Sequence, residues 1–346
     1  MNTQPGAGTF SAQLEQQGPE QRLLHGLEFL WLEITGKCNL QCVHCYADSS
    51  PHVPLVQAMC LDDWKEAISQ AHILGCRNLQ FIGGEPTLHP GLCDLILYAH
   101  SLGFQFIEVF TNGTALTPRL REVIKRCHVN LAFSVYSLDP VVHDSVTLRG
   151  GSQHKTLAGV RWALEAGLPV RAAIIDVGLN SSSVADTQSF LQRLGVTSIG
   201  IDRLRGIGRG ARHSSSELLL HELCGRCWEG KLCVTSSGAI YPCVFSRFTQ
   251  VGSFSEGLAA VLDGAKLLTF RSALQSQILA GIHSDTGPDP TVKSWPAVGP
   301  SSPECRPGTP AEKCDPDFEP PGGCDPSHTC QPRYPCQPKA GKPPEK

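Results

Sequence analysis

Between residues 27 and 201 short apolar runs alternate with longer stretches whose apolar positions recur every three or four residues. Leu27–Ile34 is an apolar run bounded by a glycine turn and predicts a first buried strand. Leu61–Leu74 carries Trp64, Ile68, Ala71 and Leu74 at helical spacing, with Asp62 and Asp63 near its start to complement the helix dipole. The same alternation then predicts strands over Asn78–Ile82, Phe106–Phe110, Val129–Tyr136, Val170–Val177 and Ser198–Ile201. Between them fall helices over Pro90–Leu102, Leu116–Lys125, Thr156–Glu165 and around Val184–Leu194. The fold class is α/β: a partial (β/α)6 barrel, with parallel strands and chemistry at their C-terminal ends.

From about Cys224 to Leu274 the pattern changes to a cysteine cluster, short strands and one helix. Beyond it, 16 of the 26 prolines and five of the 16 cysteines fall between Ser284 and Lys346. This divides the chain into an N-terminal extension (1–26), a barrel core (27–212), a small cysteine-rich module (213–283) and a Pro/Cys-rich tail (284–346). The tail repeats a Cys-x-Pro unit at Cys305, Cys314, Cys324, Cys330 and Cys336. It holds too few large apolar residues to offset its ordering entropy, which predicts disorder. A low-complexity tail and a thiol-rich, metal-binding arm are both open readings.

Composition narrows the class. The 346 residues are 41% hydrophobic and 18% charged, which is globular. A net charge of −3 and a pI near 6.5 give no polycationic surface for nucleic acid. No apolar run reaches the roughly 18 residues of a membrane span. Met1–Gln21 lacks the basic-then-apolar pattern of a signal peptide. A cytoplasmic chain is therefore expected, with neither nucleic acid nor membrane as partner. In a reducing compartment 16 cysteines point to metal binding before disulfides. An exported, disulfide-bonded chain is the alternative.

Directly after the first strand come Cys38, Cys42 and Cys45, at x3 and then x2 spacing. Three thiolates are one short of the four that fill a structural zinc or ferredoxin site. A cubane held by three leaves one iron with an open position, where something must bind. A zinc site with a remote fourth ligand and unconnected cysteines are the other readings. After the second strand comes Gly83-Gly84-Glu85-Pro86, whose glycines allow close backbone approach and whose Glu85 adds a carboxylate. After the third comes Thr111-Asn112-Gly113, suited to a tight turn. Three successive strand ends then describe one ligand groove.

Together these motifs, over roughly Phe29 to Arg209, resemble the radical S-adenosylmethionine (radical SAM) superfamily. The resemblance implies a [4Fe-4S] cluster on Cys38, Cys42 and Cys45, whose free iron takes the amino and carboxylate groups of S-adenosylmethionine. It implies that Gly83, Gly84 and Glu85 contact the methionyl amino group and that His44 lies near the adenine. Asn112 joins the cofactor-binding set, and Ser134 and Tyr136 are candidate ribose or substrate neighbours. Asp202 and Arg203 are expected at the same rim. The implied chemistry is reductive cleavage to a 5′-deoxyadenosyl radical that takes hydrogen from carbon, with an electron donor such as flavodoxin or ferredoxin.

Cys224, Cys227, Gly238 and Cys243 are spaced like the opening of the auxiliary-cluster (SPASM or twitch) extension of that superfamily, but its later cysteine set is absent. Cys224, Cys227, Cys233 and Cys243 could ligate a second cluster. Alternatively Cys224, Cys227 and Cys233 ligate, and Cys243 is a free thiol returning hydrogen to a carbon radical. The latter resembles neomycin C epimerase and implies epimerisation of an aminoglycoside sugar in antibiotic biosynthesis. The former implies a maturase of a ribosomal peptide, forming crosslinks or thioethers. With only 28 residues before Phe29, a leader-recognition domain does not fit, and the epimerase is the expectation.

Overall fold

Alternate residues of the first strand face two different cores. In this computed structural model, which describes residues 25–55, 58–213 and 219–279, strand β1 (Phe29–Thr35) is buried along its whole length. Leu30, Leu32 and Ile34 pack into the main core with Trp64, Ile68, Leu79 and Phe81. Phe29 and Trp31 point the other way, into a second cluster with Ile82, Cys227, Cys233, Cys243 and Phe270. Period-two alternation thus separates the helix-facing side of the sheet from its concave side.

Strands β2 (Asn78–Gly83), β3 (Phe106–Thr111), β4 (Asn130–Ser134), β5 (Val170–Asp176) and β6 (Ser198–Arg203) follow in parallel, each beside the last. Helices bridge each pair, as parallel crossovers require: α1 (Leu61–Ile73), α2 (Leu92–Ser101), α3 (Pro118–Arg126), α4 (Pro140–Thr147), α5 (Ser152–Glu165) and α6 (Val184–Leu194). Trp64 of α1 is fully buried against the sheet; truncating such a side chain to alanine costs about 3–5 kcal/mol. The sheet does not close. Its order, β6-β5-β4-β3-β2-β1-β7-β8-β9, leaves β6 as a half-buried edge. The partial barrel expected from the sequence is the observed fold.

Helix α4 is absent from the sequence reading. Pro140-Val-Val-His-Asp-Ser-Val-Thr is rich in β-branched residues of weak helix propensity. Asp139 nevertheless caps it, accepting from Val141 N at 2.8 Å, and Pro140 takes the first helical position. Helix α5 starts four residues before its expected onset. Asp144 explains this: it accepts from Gly151 N, Ser152 Oγ and Gln153 N, three donors at the helix start.

The cysteine-rich segment continues the same sheet. Strand β7 (Lys231–Thr235) pairs in parallel with β1, opposite β2, and β8 (Ala239–Tyr241) and β9 (Gly252–Ser253) complete an antiparallel meander. Two helices follow, α7 (Leu258–Leu262) and α8 (Ala265–Leu279), where the sequence pattern suggests one. Among the described residues no helix is long and apolar enough to cross a membrane. The 284–346 tail and nearly all of the 1–26 extension lie outside the described residues.

Candidate active site

The loop leaving β1 carries Cys38, Cys42 and Cys45 and is bonded on every side. Gly84 N donates to Thr35 O at 2.7 Å and Glu85 N to Lys37 O at 2.8 Å. Gln41 N and Val43 N donate to Thr147 O and Val146 O, at the end of α4. Asn112 Nδ2 donates to Asn39 Oδ1 at 2.9 Å. From beyond β6, Arg209 Nε donates to Cys42 O at 2.8 Å and its Nη2 to Ser49 O at 2.7 Å.

These contacts explain the glycines. A Cβ on Gly84 would stand 2.3 Å from Lys37 O, and one on Gly83, at φ +127°, 2.4 Å from Thr35 O. Their close approach is to the backbone of the cysteine loop, where the sequence suggested approach to a ligand. Glu85 also differs from expectation: its side chain is fully buried and does not line the cavity. It accepts from Thr111 Oγ1, Thr87 N, Thr87 Oγ1 and Asn112 N, tying the ends of β2 and β3 together. Burial raises its pKa on balance, and those four bonds oppose the shift.

A cavity of about 180 Å³ opens inside the sheet. Cys38, Cys42, Cys45, His44, Gly83, Gly84, Asn112, Ser134 and Tyr136 line it near the strand C-termini, with Asp202 and Arg203 on the β6 side. Trp31, Ile82 and Phe110 line it as well, with Cys224, Lys231 and Cys243. Register places this last set. Phe29 lies opposite Lys231, and β8 returns so that Tyr241 faces Cys233. Cys243, two residues beyond β8, packs in the second cluster with Phe29, at the N-terminal end of β1. About 20 Å of strand separates the two ends, at roughly 3.3 Å per residue, and one cavity touches cysteines at both.

The upper cysteines suit an iron–sulfur cluster. Cys38 Sγ accepts from Leu40 N at 3.4 Å and Asn112 Nδ2 at 3.8 Å, the donor pattern an anionic sulfur takes. As a bare thiol Cys38 is pushed up to about 12, by burial and then by Glu85; Leu40 N and Asn112 oppose the shift. Cys42 is raised by burial and by its neighbours Cys45 and Cys38. Among the described residues no three His, Cys, Asp or Glu side chains converge as on a single metal ion; a cubane holds its thiolates farther apart. Among the described residues, buried Trp31 Nε1, His44 Nδ1, Tyr46 Oη and Ser49 Oγ find no hydrogen-bond partner, and all four residues line the cavity. Burial, with the Arg209 charge nearby, lowers His44 to about 4, so it is neutral, and its ring stands 5.0 Å from that of Tyr136.

The lower cysteines form a trio. Cys227 Sγ donates to Cys243 Sγ at 2.9 Å and also bonds Cys224. The bond between Cys227 and Cys224 pulls Cys224 down to about 6 despite its burial, aided by Lys231, the Arg226 amide and Arg205. Cys227 stands behind the cavity wall. Cys233, on β7, packs in the same cluster and is near Cys243, but it bonds Glu33 and does not line the cavity. Of the four expected ligands, the structure brings together Cys224, Cys227 and Cys243.

Residues 32–194 match the model of the radical SAM superfamily. This segment is a radical SAM domain. The cofactors of that superfamily are a [4Fe-4S] cluster and S-adenosylmethionine, and the site holds the donor set they need. Among curated relatives, the AdoMet-dependent heme synthase of Methanosarcina barkeri is 29% identical over 179 residues, covering 51% of each chain. The antilisterial bacteriocin subtilosin biosynthesis protein AlbA of Bacillus subtilis is 27% identical over 180 residues, 51% of this chain and 40% of AlbA. The chain thus matches about half the length, or less, of these relatives. Among solved structures, Streptococcus suis SuiB bound to its precursor peptide SuiA superposes with a TM-score of 0.62. That match covers 80% of this chain and 70% of SuiB; at 15% identity it is a likeness of fold.

The sequence reading missed Arg205, Arg209, Lys231, Tyr46 and Phe245, all on the cavity wall. Arg205 holds Asp202 through both carboxylate oxygens and donates to Glu222 O at 2.6 Å. Tyr46 and Phe245 meet edge to face at 5.4 Å. The one available signal was Gly208-Arg209-Gly210, a charge between two residues that allow close approach.

Proposed function

We propose that this chain is a radical SAM enzyme whose substrate occupies the cavity between two cysteine groups. Cys38, Cys42 and Cys45 would hold the cluster that binds S-adenosylmethionine, with Gly83, Gly84, Asn112, Ser134 and His44 around the cofactor and flavodoxin or ferredoxin as electron donor. When bound, cluster and cofactor supply one-electron cleavage of the sulfonium and removal of hydrogen from an unactivated carbon. The chain's part is binding, orientation and exclusion of water. Asn112 and the Leu40 amide hold the Cys38 sulfur. Trp31, Ile82 and Phe110 give the cavity apolar lining.

The cavity wall favours one substrate class. It is largely aromatic and aliphatic, and its cations are paired: Arg203 with Glu222, Arg205 with Asp202, Arg209 with Asp48 and Lys231 with Glu229. Such a wall suits an apolar group, such as a side chain of a ribosomal peptide, better than a polycationic aminoglycoside. Cys224, Cys227 and Cys243 supply three thiols to a second iron–sulfur site, with the 2.9 Å contact of Cys227 and Cys243 opening to admit it; that site would accept the electron an oxidative, bond-forming reaction releases. The observation carrying this reading is the single cavity that touches both cysteine groups.

Epimerisation is the second reading, favoured by one observation: Cys243 is on the wall, within reach of a substrate radical as hydrogen donor. Iron content separates the two. After anaerobic reconstitution, Cys243→Ala and Cys227→Ala should each lose one cluster's worth of iron and keep S-adenosylmethionine cleavage. If Cys243→Ala retains all its iron and loses only product formation, Cys243 is the donor and the epimerase reading replaces the oxidative one.

A further inference from the structure

The cysteine loop is fastened mostly by backbone pairing, and one side chain stands apart. Arg209 enters from beyond β6, on the far side of the loop from β2. Its Nε and Nη2 grip Cys42 O and Ser49 O, at 2.8 and 2.7 Å, and its own amide donates to Cys45 O at 3.0 Å. Two of the three carbonyls belong to cysteines of the motif. The guanidinium side chain is 12% exposed, and its salt bridge to Asp48 is long, at 3.8 Å.

The flanking glycines make this grip possible. A Cβ on Gly208, at φ +59°, would lie 2.5 Å from both Cys45 O and Tyr46 O. One on Gly210 would lie 2.1 Å from Arg205 O and 3.5 Å from His44 O. The turn therefore presses against the loop at His44, Cys45 and Tyr46 while Arg209 reaches past it to Cys42 and Ser49. A planar fork with fixed donors suits two carbonyls set at an angle; an ammonium keeps the charge without that fixed geometry.

We propose that Arg209 is a positioning residue: delivered by the Gly208-Arg209-Gly210 turn, it fixes the carbonyls of Cys42, Cys45 and Ser49 and so the spacing of the three cluster thiols. It also places a positive charge beside an anionic cluster. This rests on the reading that Cys38, Cys42 and Cys45 hold the cluster.

Three variants separate its roles. Arg209→Lys keeps the charge and loses the fork; Arg209→Gln loses the charge and keeps one donor pair; Arg209→Ala loses both. Each is compared with wild type by hydrogen–deuterium exchange of residues 38–50 without cluster, then by chelator-driven cluster loss and the midpoint potential after reconstitution. Arg209→Ala should speed loop exchange and cluster loss, the latter about 10–100-fold, as removal of a group supporting metal ligands does. Arg209→Lys should lose the cluster faster than wild type at near wild-type potential. Arg209→Gln should show a more negative potential. Unchanged loop exchange in Arg209→Ala would overturn the inference, whatever the cluster does. A wild type whose loop exchange responds to Arg209→Ala but which takes up no iron would instead overturn the cluster reading.

Discussion

The glycine at position 84 shows how narrowly the site is built. Two loop backbones meet there, and the nearest atom to an added methyl is a carbonyl oxygen, which cannot swing away. Gly84→Ala should destabilise the fold by about 1–3 kcal/mol, the usual range for overpacking, and urea denaturation of the cluster-free protein measures it. A wild-type midpoint would mean that the loop yields. Buried histidines give a second residue-scale prediction. His143 is 1% exposed, its Nδ1 accepting from Tyr136 N at 3.3 Å, and burial lowers its pKa from 6.5 to about 4 despite the nearby Asp144. His89 is lowered to about 4 by burial as well. The folded state favours neutral imidazole, so the unfolded state binds more protons as pH falls. The stabilisation is full above 6.5 and is lost as pH falls towards 4. Urea midpoints measured across that window should fall with pH, and His143→Gln should flatten the slope. An unchanged slope in the variant would remove His143 from the account. Little of this was legible in advance. The motif glycines and cysteines were read from spacing, yet the partner of Gly84 proved to be Lys37 O, and Glu85 proved to bond strand ends. Spacing shows that a residue type is needed and leaves open what it touches.

At the scale of elements, α4 joins fold and site. Its last carbonyls, Val146 O and Thr147 O, hold Val43 N and Gln41 N of the cysteine loop. Its formation leans on a single cap, Asp139. Asp139→Ala should cost about 1 kcal/mol, typical of a lost N-cap, and hydrogen exchange at Gln41 and Val43 should speed up in step. Exchange confined to α4 itself would show that the loop does not depend on it. This helix was illegible because propensity opposed it and one side chain reversed the outcome. The strands were legible because both of their faces are buried. Runs such as Leu30-Trp31-Leu32 exist only where a sheet is covered on each side. The pairing of β7 with β1 was not, since a short apolar strand carries no label for its neighbour.

Across the whole molecule, the sheet puts two cysteine groups at opposite ends of β1 and runs one cavity between them. The barrel class and the upper group follow from the order of motifs along the chain. The lower trio follows from the return of β8, which brings Cys243 back beside Cys227 over 16 residues of sequence. The central claim is that the upper group holds the cluster that cleaves S-adenosylmethionine. Its most direct test is the 5′-deoxyadenosine formed under reductant by anaerobically reconstituted protein. Wild type is compared with the combined Cys38→Ala, Cys42→Ala and Cys45→Ala variant, iron being counted in both. The account predicts 5′-deoxyadenosine from wild type only, and a variant that lacks one cluster's iron while keeping the rest. A fully reconstituted wild type that forms none, or a triple variant that still forms it, would contradict the account.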